Sequence, residues 1–85
     1  MPSTLHTPAN SAVIGVVVDA RKRSNIKQAD LARALGKDQS WISNIENGHR
    51  RIDLVEFCAV ARALKLDPVE LFSLIVQRLP KDWRL

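Results

Sequence analysis

The sequence predicts an all-α protein in which five short helices pack around one small core. Its 85 residues are enough for one small domain, and 46% of them are apolar, an ordinary share for a globular protein. Apolar residues recur at helical spacing along most of the chain, and no hairpin turn separates two alternating segments. The connections between the helices are short, which predicts a compact arrangement.

The first helix is predicted over about residues 10–24. Its β-branched residues would also suit a buried strand, but a lone strand would have no partner. Asn10 or Ser11 is the expected N-cap, and Asn25 is a suitable left-handed terminator. Helical spacing places four residues on one stripe: Val13, Ile14, Val17 and Arg21.

The second helix is predicted from Gln28 to Leu35 and ends at Gly36. Glycine readily adopts the left-handed conformation that a tight turn after a helix needs. Leu31 and Leu35 lie four residues apart and share a face with Ala32, a small residue suited to a close helix crossing.

The third helix is predicted from Gln39 to Glu46, with Asp38 as its N-cap. Ile42 and Ile45 form its apolar side, and the pair Asn47-Gly48 ends it.

The fourth helix begins after Asp53, because Glu56 follows at the spacing of a capping box, and it runs to about Leu64. Its predicted inward residues are Leu54, Phe57, Cys58, Ala61 and Leu64. The fifth helix has Asp67 as its cap, Pro68 at its first position and an end near Arg78. Its predicted apolar side consists of Leu71, Leu74 and Ile75.

Positive charge is concentrated in the middle of the chain. The net charge is +4, and residues 21–51 hold eight of the 13 basic residues but three of the nine acidic ones. Such a concentration is typical of a surface that binds a polyanion. A solvated basic face on an ordinary protein is the alternative that charge alone leaves open.

The outer face of the third helix carries short, uncharged polar side chains. These are Gln39, Ser40, Ser43, Asn44 and Asn47. A merely solvated helix face usually carries Glu and Lys, whereas amide and hydroxyl groups offer the donors and acceptors that read base edges. Two helices of about eight residues joined by a glycine turn, with such a face on the second, predict a helix-turn-helix.

The segments 28–36 and 39–48, together with 53–56, 61–64 and 67–71, resemble the phage-repressor (Xre/Cro) family of helix-turn-helix regulators. The resemblance covers roughly residues 13–76. It implies a five-helix, lambda-repressor-like DNA-binding domain with the helix-turn-helix in its second and third helices. It also implies a transcriptional repressor or activator, often a homodimer on a palindromic operator.

The resemblance also assigns residues. It implies base contacts by Gln39, Ser40, Ser43 and Asn44. With the local charge it implies phosphate contacts by Gln28, Lys27, Arg23, Asn47, His49, Arg50 and Arg51. Arg21 and Glu46 match a structural ion pair. Lys27 stands where the family usually has a Ser or Thr cap, a change that weakens capping by about 1 kcal/mol. Trp41 either packs on a neighbouring helix, which we favour, or touches DNA.

The expected domain organisation is a flexible tail over residues 1–11, a DNA-binding domain over 12–79 and a C-terminal tail over 80–85. No signal peptide is expected in the first tail. Apolar residues at the end of the chain have little left to cover them, which leaves a flexible tail or a dimer contact open. The candidate dimer residues are Leu74, Leu79 and Trp83.

Several classes of protein are not expected. A single cysteine, Cys58, leaves no disulfide framework and no cysteine-based zinc site. No catalytic set or phosphate-cradling glycine loop is present, so neither an enzyme nor a cofactor is expected. The longest apolar run, Ala12–Val18, is far below the ~20 residues of a membrane span, and a cytoplasmic location is expected. The predicted partners are double-stranded DNA and a second copy. The alternative is a protein-interaction module such as an antitoxin or antiactivator.

Overall fold

The structure, a computed structural model, describes residues 7–84 and contains five α-helices in that range. They are α1 (Pro8–Arg23), α2 (Gln28–Ala34), α3 (Gln39–Glu46), α4 (Leu54–Ala63) and α5 (Pro68–Arg78). The described range contains no strand, and the predicted all-α fold is confirmed. Residues 1–6 and Leu85, which belong to the two predicted tails, lie outside the described residues.

The predicted starts of α3, α4 and α5 are confirmed by their caps. The Asp38 carboxylate accepts a hydrogen bond from the Trp41 amide at 3.2 Å. Asp53 and Glu56 form the reciprocal capping box, with bonds of 2.7 and 2.9 Å. Asp67 accepts from the amide of Val69 at 2.9 Å and is followed by a proline at the first helical position. Each cap satisfies an amide that the helix itself leaves unpaired.

The start of α1 corrects the sequence prediction. Thr7 is the N-cap, since its hydroxyl accepts from the amide of Asn10 at 3.1 Å, and Pro8 occupies the first helical turn. The predicted caps Asn10 and Ser11 therefore lie inside the helix, together with the end of the predicted N-terminal tail. A threonine before a proline is a complete start signal, because proline at this position loses no intrahelical bond.

The buried face of α1 is also rotated from the predicted stripe. Its buried residues are Ala12, Val16, Val17 and Ala20, whereas Val13 and Ile14 are half-buried. The helix is apolar around most of its circumference, so periodicity alone could not select the face. Packing against α3 and α5 selects it, and the two alanines let these neighbours approach closely.

The core lies where all five helices meet. Its most fully buried side chains are Leu31, Ile42, Ile45, Val16, Val17 and Val60. The α2–α3 pair packs closely at Ala32, which is 1% exposed, and Gly36 makes the intervening turn with φ of 69°. The predicted inward residues Phe57, Ala61, Leu64, Leu71 and Ile75 are all buried.

Three residues predicted to face inward do not. Leu54 is 74% exposed, Leu74 is 39% exposed and Cys58 is exposed. Leu54 is the first residue of α4, at the edge of the domain, and α4 is apolar on nearly every side. Its buried residues Phe57, Val60 and Ala61 form one stripe, and Leu54 and Cys58 fall outside it.

The end of α5 is held across α1. Arg78 donates to the Asp19 carboxylate at 2.7 Å. It passes over Gly15, where an added Cβ would lie 3.1 Å from the Arg78 Nη1 atom. The bare backbone at Gly15 therefore leaves room for the end of the arginine side chain, which would have to shift by a few tenths of an ångström if a Cβ were present.

The contrast between buried and exposed valines of α4 gives a test of this core. We expect Val60→Ala to reduce the free energy of unfolding by about 2–3 kcal/mol, because Val60 is 0% exposed. Val55→Ala, at a position 79% exposed on the same helix, should change it by less than about 0.5 kcal/mol. Urea unfolding measures both. Equal losses in the two variants would contradict the described core.

Candidate nucleic-acid interface

The polar row of α3 faces outward because two isoleucines hold the opposite side of the helix in the core. Ile42 and Ile45 are 1% and 2% exposed. The row consists of Gln39, Ser40, Ser43, Asn44 and Asn47, all exposed except the half-buried Ser43. Asn47 is the C-cap that follows α3. The sequence prediction of one polar face on this helix therefore matches the structure.

Two serines of the row are engaged by their neighbours. The Ser40 hydroxyl donates to Asp38 at 2.6 Å, and Asn47 donates to the Ser43 hydroxyl at 3.1 Å. The bond from Ser40, with that from the Trp41 amide, lowers the pKa of Asp38 and keeps this cap ionised. The exposed Asn44 side chain has no hydrogen bond within residues 7–84, so its amide presents donors and acceptors to the outside.

An ion pair joins the end of α1 to the end of α3. Arg21 donates from Nε and Nη2 to the two carboxylate oxygens of Glu46, at 2.6 and 3.0 Å. Its Nη1 donates to the Ile26 carbonyl at 2.9 Å. The side chains of Arg21 and Glu46 are 12% and 6% exposed, so the pair is nearly buried. The two residues predicted to pair are thus brought together.

A relay of amides extends this pair to the polar row. Gln28 donates to Glu46 at 2.8 Å, and Gln39 donates to the Gln28 oxygen at 3.3 Å. Because a carboxylate can only accept, the Gln28 nitrogen must face Glu46 and its oxygen must face Gln39. The amide nitrogen of Gln39 then points inward, and its oxygen is left for an outside donor. Gln28, predicted to touch phosphate, also bridges the core and the row.

The predicted phosphate contacts differ in their surroundings. Lys27 is exposed, and its side chain makes no capping bond at the start of α2. His49 and Arg51 are exposed in the loop after α3, where the Asn44 carbonyl accepts from the amides of His49 and Arg50. Among residues 7–84, Arg51 forms no ion pair.

Arg50 is held within the protein. Its guanidinium donates to both oxygens of Glu56, at 2.9 and 2.7 Å, and lies 5.1 Å from the centroid of the Trp41 ring. This hydrogen-bonded pair raises the pKa of Arg50 and lowers the pKa of Glu56 to about 2. Lys37 lies 5.7 Å from the same ring. The half-buried Trp41 packs against the core, which is the interpretation favoured from the sequence.

The remaining predicted site residues, Arg23 and the three candidate dimer residues, lie away from the polar row. Arg23 lines a groove between α1 and α5, in which Asp67, Glu70 and Leu74 also lie. Leu79 and Trp83 line a separate groove at the start of α1 and the end of α5. The structure therefore does not bring the three candidate dimer residues together.

An exposed apolar surface went unrecognised in the sequence. We call it the α5 face; its members are Leu54, Val69, Phe72, Val76 and Trp83, between 46% and 75% exposed. Phe72 links its two halves, because it lines one groove with Leu54 and Val69 and another with Val76 and Trp83. The spacing of positions 69, 72 and 76 on one helix face was the available signal.

Residues 7–84 contain neither a cluster of metal ligands nor a helix that could span a membrane. No three His, Cys, Asp or Glu side chains lie close enough together there to hold a metal ion. None of the five helices is both long and apolar enough to cross a membrane.

Comparison with known proteins identifies the class of protein to which this chain belongs. Residues 18–71 match the helix-turn-helix family HTH_3, and the chain belongs to this family, of the Xre or phage-repressor type. It is a family of DNA-binding regulators and not of enzymes. The family predicted from the sequence is confirmed.

Individual relatives are similar along much of the chain. A solved XRE-family like protein from Pseudomonas syringae pv. tomato is 35% identical, with a TM-score of 0.79 over 91% of this chain and 94% of that one. The restriction-modification controller protein C.AhdI from Aeromonas hydrophila is 30% identical, with a TM-score of 0.66 over 79% of this chain and 100% of its own. A 10 kDa protein of the ImmF control region of Bacillus phage phi105 is 33% identical over 61% of this chain and 58% of its own length.

The Arg50–Glu56 pair predicts how stability depends on pH. The folded pKa of Glu56, about 2, lies below its ordinary value of 4.5. Its ionised form therefore stabilises the fold above about pH 4.5, and this contribution is lost as the pH falls toward about 2. Glu56→Gln keeps an oxygen for the capping box but loses the charge. We expect the variant to lose less stability than the wild type across this pH interval, as measured by urea unfolding.

Glu70→Gln is the matched control, because Glu70 is exposed and forms no ion pair within residues 7–84. It should follow the wild-type pH dependence. If Glu56→Gln also followed it, Glu56 would not be coupled to Arg50 in solution.

Proposed function

We propose that this protein is a sequence-specific transcriptional regulator that binds a palindromic DNA operator as a homodimer. The observation that carries the proposal is the polar row of α3, held outward by two buried isoleucines and flanked by exposed cations such as Lys27 and Arg51. A helix about 10 Å across fits the major groove, where each base pair presents a distinct pattern of donors and acceptors.

Asn44 and Gln39 are the strongest candidates for base contacts within the proposed interface. The Asn44 amide can pair with adenine through one donor and one acceptor, whereas Gln39, whose nitrogen is turned toward Gln28, presents its oxygen to a donor such as a base amino group. The Asn44 amide is exposed, and the Gln39 amide is oriented by its bond to Gln28. Ser40 and Ser43 are short enough to let the helix approach the base edges, and we include both among the base contacts.

Phosphate contacts supply affinity without sequence choice in this proposal. We assign them to Lys27, Gln28, Asn47, His49 and Arg51, which lie at the start of α2 or at and just after the end of α3. Arg23 shares its groove with two acidic residues, so we regard it as the weakest predicted contact.

The relatives support gene control as the biological setting. One is a control-region protein of a phage and another is a restriction-modification controller. We propose a comparable role for this protein, as a regulator within a phage, another mobile element or a restriction system. The sign of regulation follows from where the operator lies relative to the promoter.

The α5 face is the proposed dimer interface. Contiguous apolar surface on a small protein marks a site of association, and the exposed Val69, Phe72 and Val76 share one side of α5. Covering this face with a second copy would pair two recognition helices, about 34 Å apart on a palindromic site. Trp83 stays in the proposed interface, whereas Leu74 lies in a different groove and leaves it.

Two variants separate base reading from phosphate binding. We expect Asn44→Ala to weaken binding to the operator by about 1–3 kcal/mol and to leave non-specific binding nearly unchanged. Lys27→Gln should weaken binding to all duplexes alike and reduce the slope of log K against log salt by about 0.9. Fluorescence anisotropy with an operator selected from random DNA measures both. Identical behaviour of the two variants would contradict this division.

A matched pair of valines tests the interface. Val69 and Val55 are each the second residue of a helix, and they are 75% and 79% exposed. An aspartate at this position favours the helix dipole, so both variants should fold. We expect Val69→Asp to sediment as a monomer under conditions in which the wild type and Val55→Asp are dimers. A dimeric Val69→Asp would place the interface elsewhere.

The α5 face also favours a second candidate function, a module that holds another protein. In that case the wild type would select no sequence from random duplex DNA even at low salt, and the Val69→Asp change would abolish a one-to-one complex with the partner. Selection of a palindromic sequence would exclude this function as the main one.

A further inference from the structure

We infer that Arg50 is a positioning residue and not a phosphate ligand. Together with Glu56 it holds the Trp41 ring, which we call the clamp, and so fixes the orientation of α3, the recognition helix. The inference rests on the proposed function, since the helix it positions is the one proposed to read bases. It reassigns a residue that the sequence placed among the phosphate contacts.

Three of the five N–H donors of the Arg50 guanidinium are used within the protein, and its side chain is 39% exposed. Its Nη1 donates both to Glu56 at 2.9 Å and to the Arg51 carbonyl at 2.7 Å, which uses both hydrogens on that nitrogen. Its Nη2 donates to the second Glu56 oxygen at 2.7 Å. This two-point geometry is the strongest that an arginine makes with a carboxylate, and a phosphate would have to compete with Glu56 for the guanidinium.

The Trp41 ring is the group that the Arg50–Glu56 pair positions. The guanidinium of Arg50 lies 5.1 Å from the Trp41 ring centroid, within the range of a cation–π contact, and Lys37 lies 5.7 Å from the same centroid. Lys37 comes before α3 and Arg50 comes after it. The ring of a residue in the first turn of α3 is thus held by cations from both flanking segments.

Glu56, the residue that holds Arg50, is itself fixed at the start of α4. Glu56 occupies the third position of α4, where its carboxylate also accepts from the Asp53 amide in the capping box. The helices that pack against α3 are α1 and α2. The chain of contacts from Trp41 through Arg50 to Glu56 therefore ties α3 to α4 as well. Trp41 lies between Ser40 and Ile42, so the contacts that hold its ring also restrain the first turn of α3, where the polar row begins.

The test uses the full chain, its selected operator and an unrelated duplex of equal length. Arg50→Gln removes the clamp and the charge, whereas Arg50→Lys removes the two-point clamp but keeps the charge. We expect both variants to lower the ratio of specific to non-specific affinity by about five- to tenfold, with an unchanged salt slope. Lys27→Gln serves as the control that lowers the slope. Circular dichroism selects a temperature at which every variant is folded.

A second measurement needs no DNA. In a Trp83→Phe background Trp41 is the sole tryptophan. Arg50→Gln should increase quenching of its fluorescence by acrylamide, and Arg51→Gln, the adjacent arginine, should not. This readout distinguishes failure of the clamp from failure of the proposed function. A wild type that selects no DNA sequence would overturn the proposed function, and with it the role in base reading, while the quenching would still show whether Arg50 holds the ring.

Two results would overturn the inference while the proposed function stands. One is a salt slope that falls by about 0.9 in Arg50→Gln and returns in Arg50→Lys, which would make Arg50 a phosphate ligand. The other is a ratio of specific to non-specific affinity that neither variant changes.

Discussion

The nearly buried ion pair between Arg21 and Glu46 is the interaction on which the arrangement of the helix-turn-helix depends. Removing two charges from water is costly, and the cost is offset here by two direct bonds, by a bond that Glu46 accepts from Gln28 and by a bond that Arg21 donates to a backbone carbonyl. Losing one partner would leave an uncompensated charge against the core. Apolar packing is not directional, whereas these bonds require defined positions of their donors and acceptors, so the pair holds the ends of α1 and α3 in register.

Hydrogen bonds connect this ion pair to the surface proposed to bind DNA. The same carboxylate that neutralises Arg21 orients Gln28, and Gln28 in turn orients Gln39. At the other end of the recognition helix, Glu56 plays a similar part for Arg50 and Trp41. Acidic residues thus organise a surface whose net character is basic. The net charge of the sequence does not reveal this role, because there each acidic residue only lowers the positive total.

The sequence predicted the number of helices, most of their ends and the polar row, because these depend on local signals. Caps such as Asp38 and Asp53 act within three residues, and the outward face of α3 follows from the spacing of Ile42 and Ile45. It was wrong about Leu54 and Cys58 because α4 is apolar on nearly every side, so that its neighbours decide which apolar residues are buried. The Arg50–Glu56 pair and the α5 face went unpredicted for a related reason. Both depend on where different elements meet in space.

The attachment of α1 at two places has a mechanical consequence. Near its end, α1 is joined to the recognition helix through Arg21, and two residues earlier it is joined to α5 through Asp19, with Gly15 making room for the arginine that reaches it. Because both attachment points lie within three residues of one helix, α1 couples the position of α3 to the position of the end of α5. In a dimer formed through the α5 face, α1 would therefore help to set the spacing between the two copies of α3, and with it the distance between the half-sites of the operator.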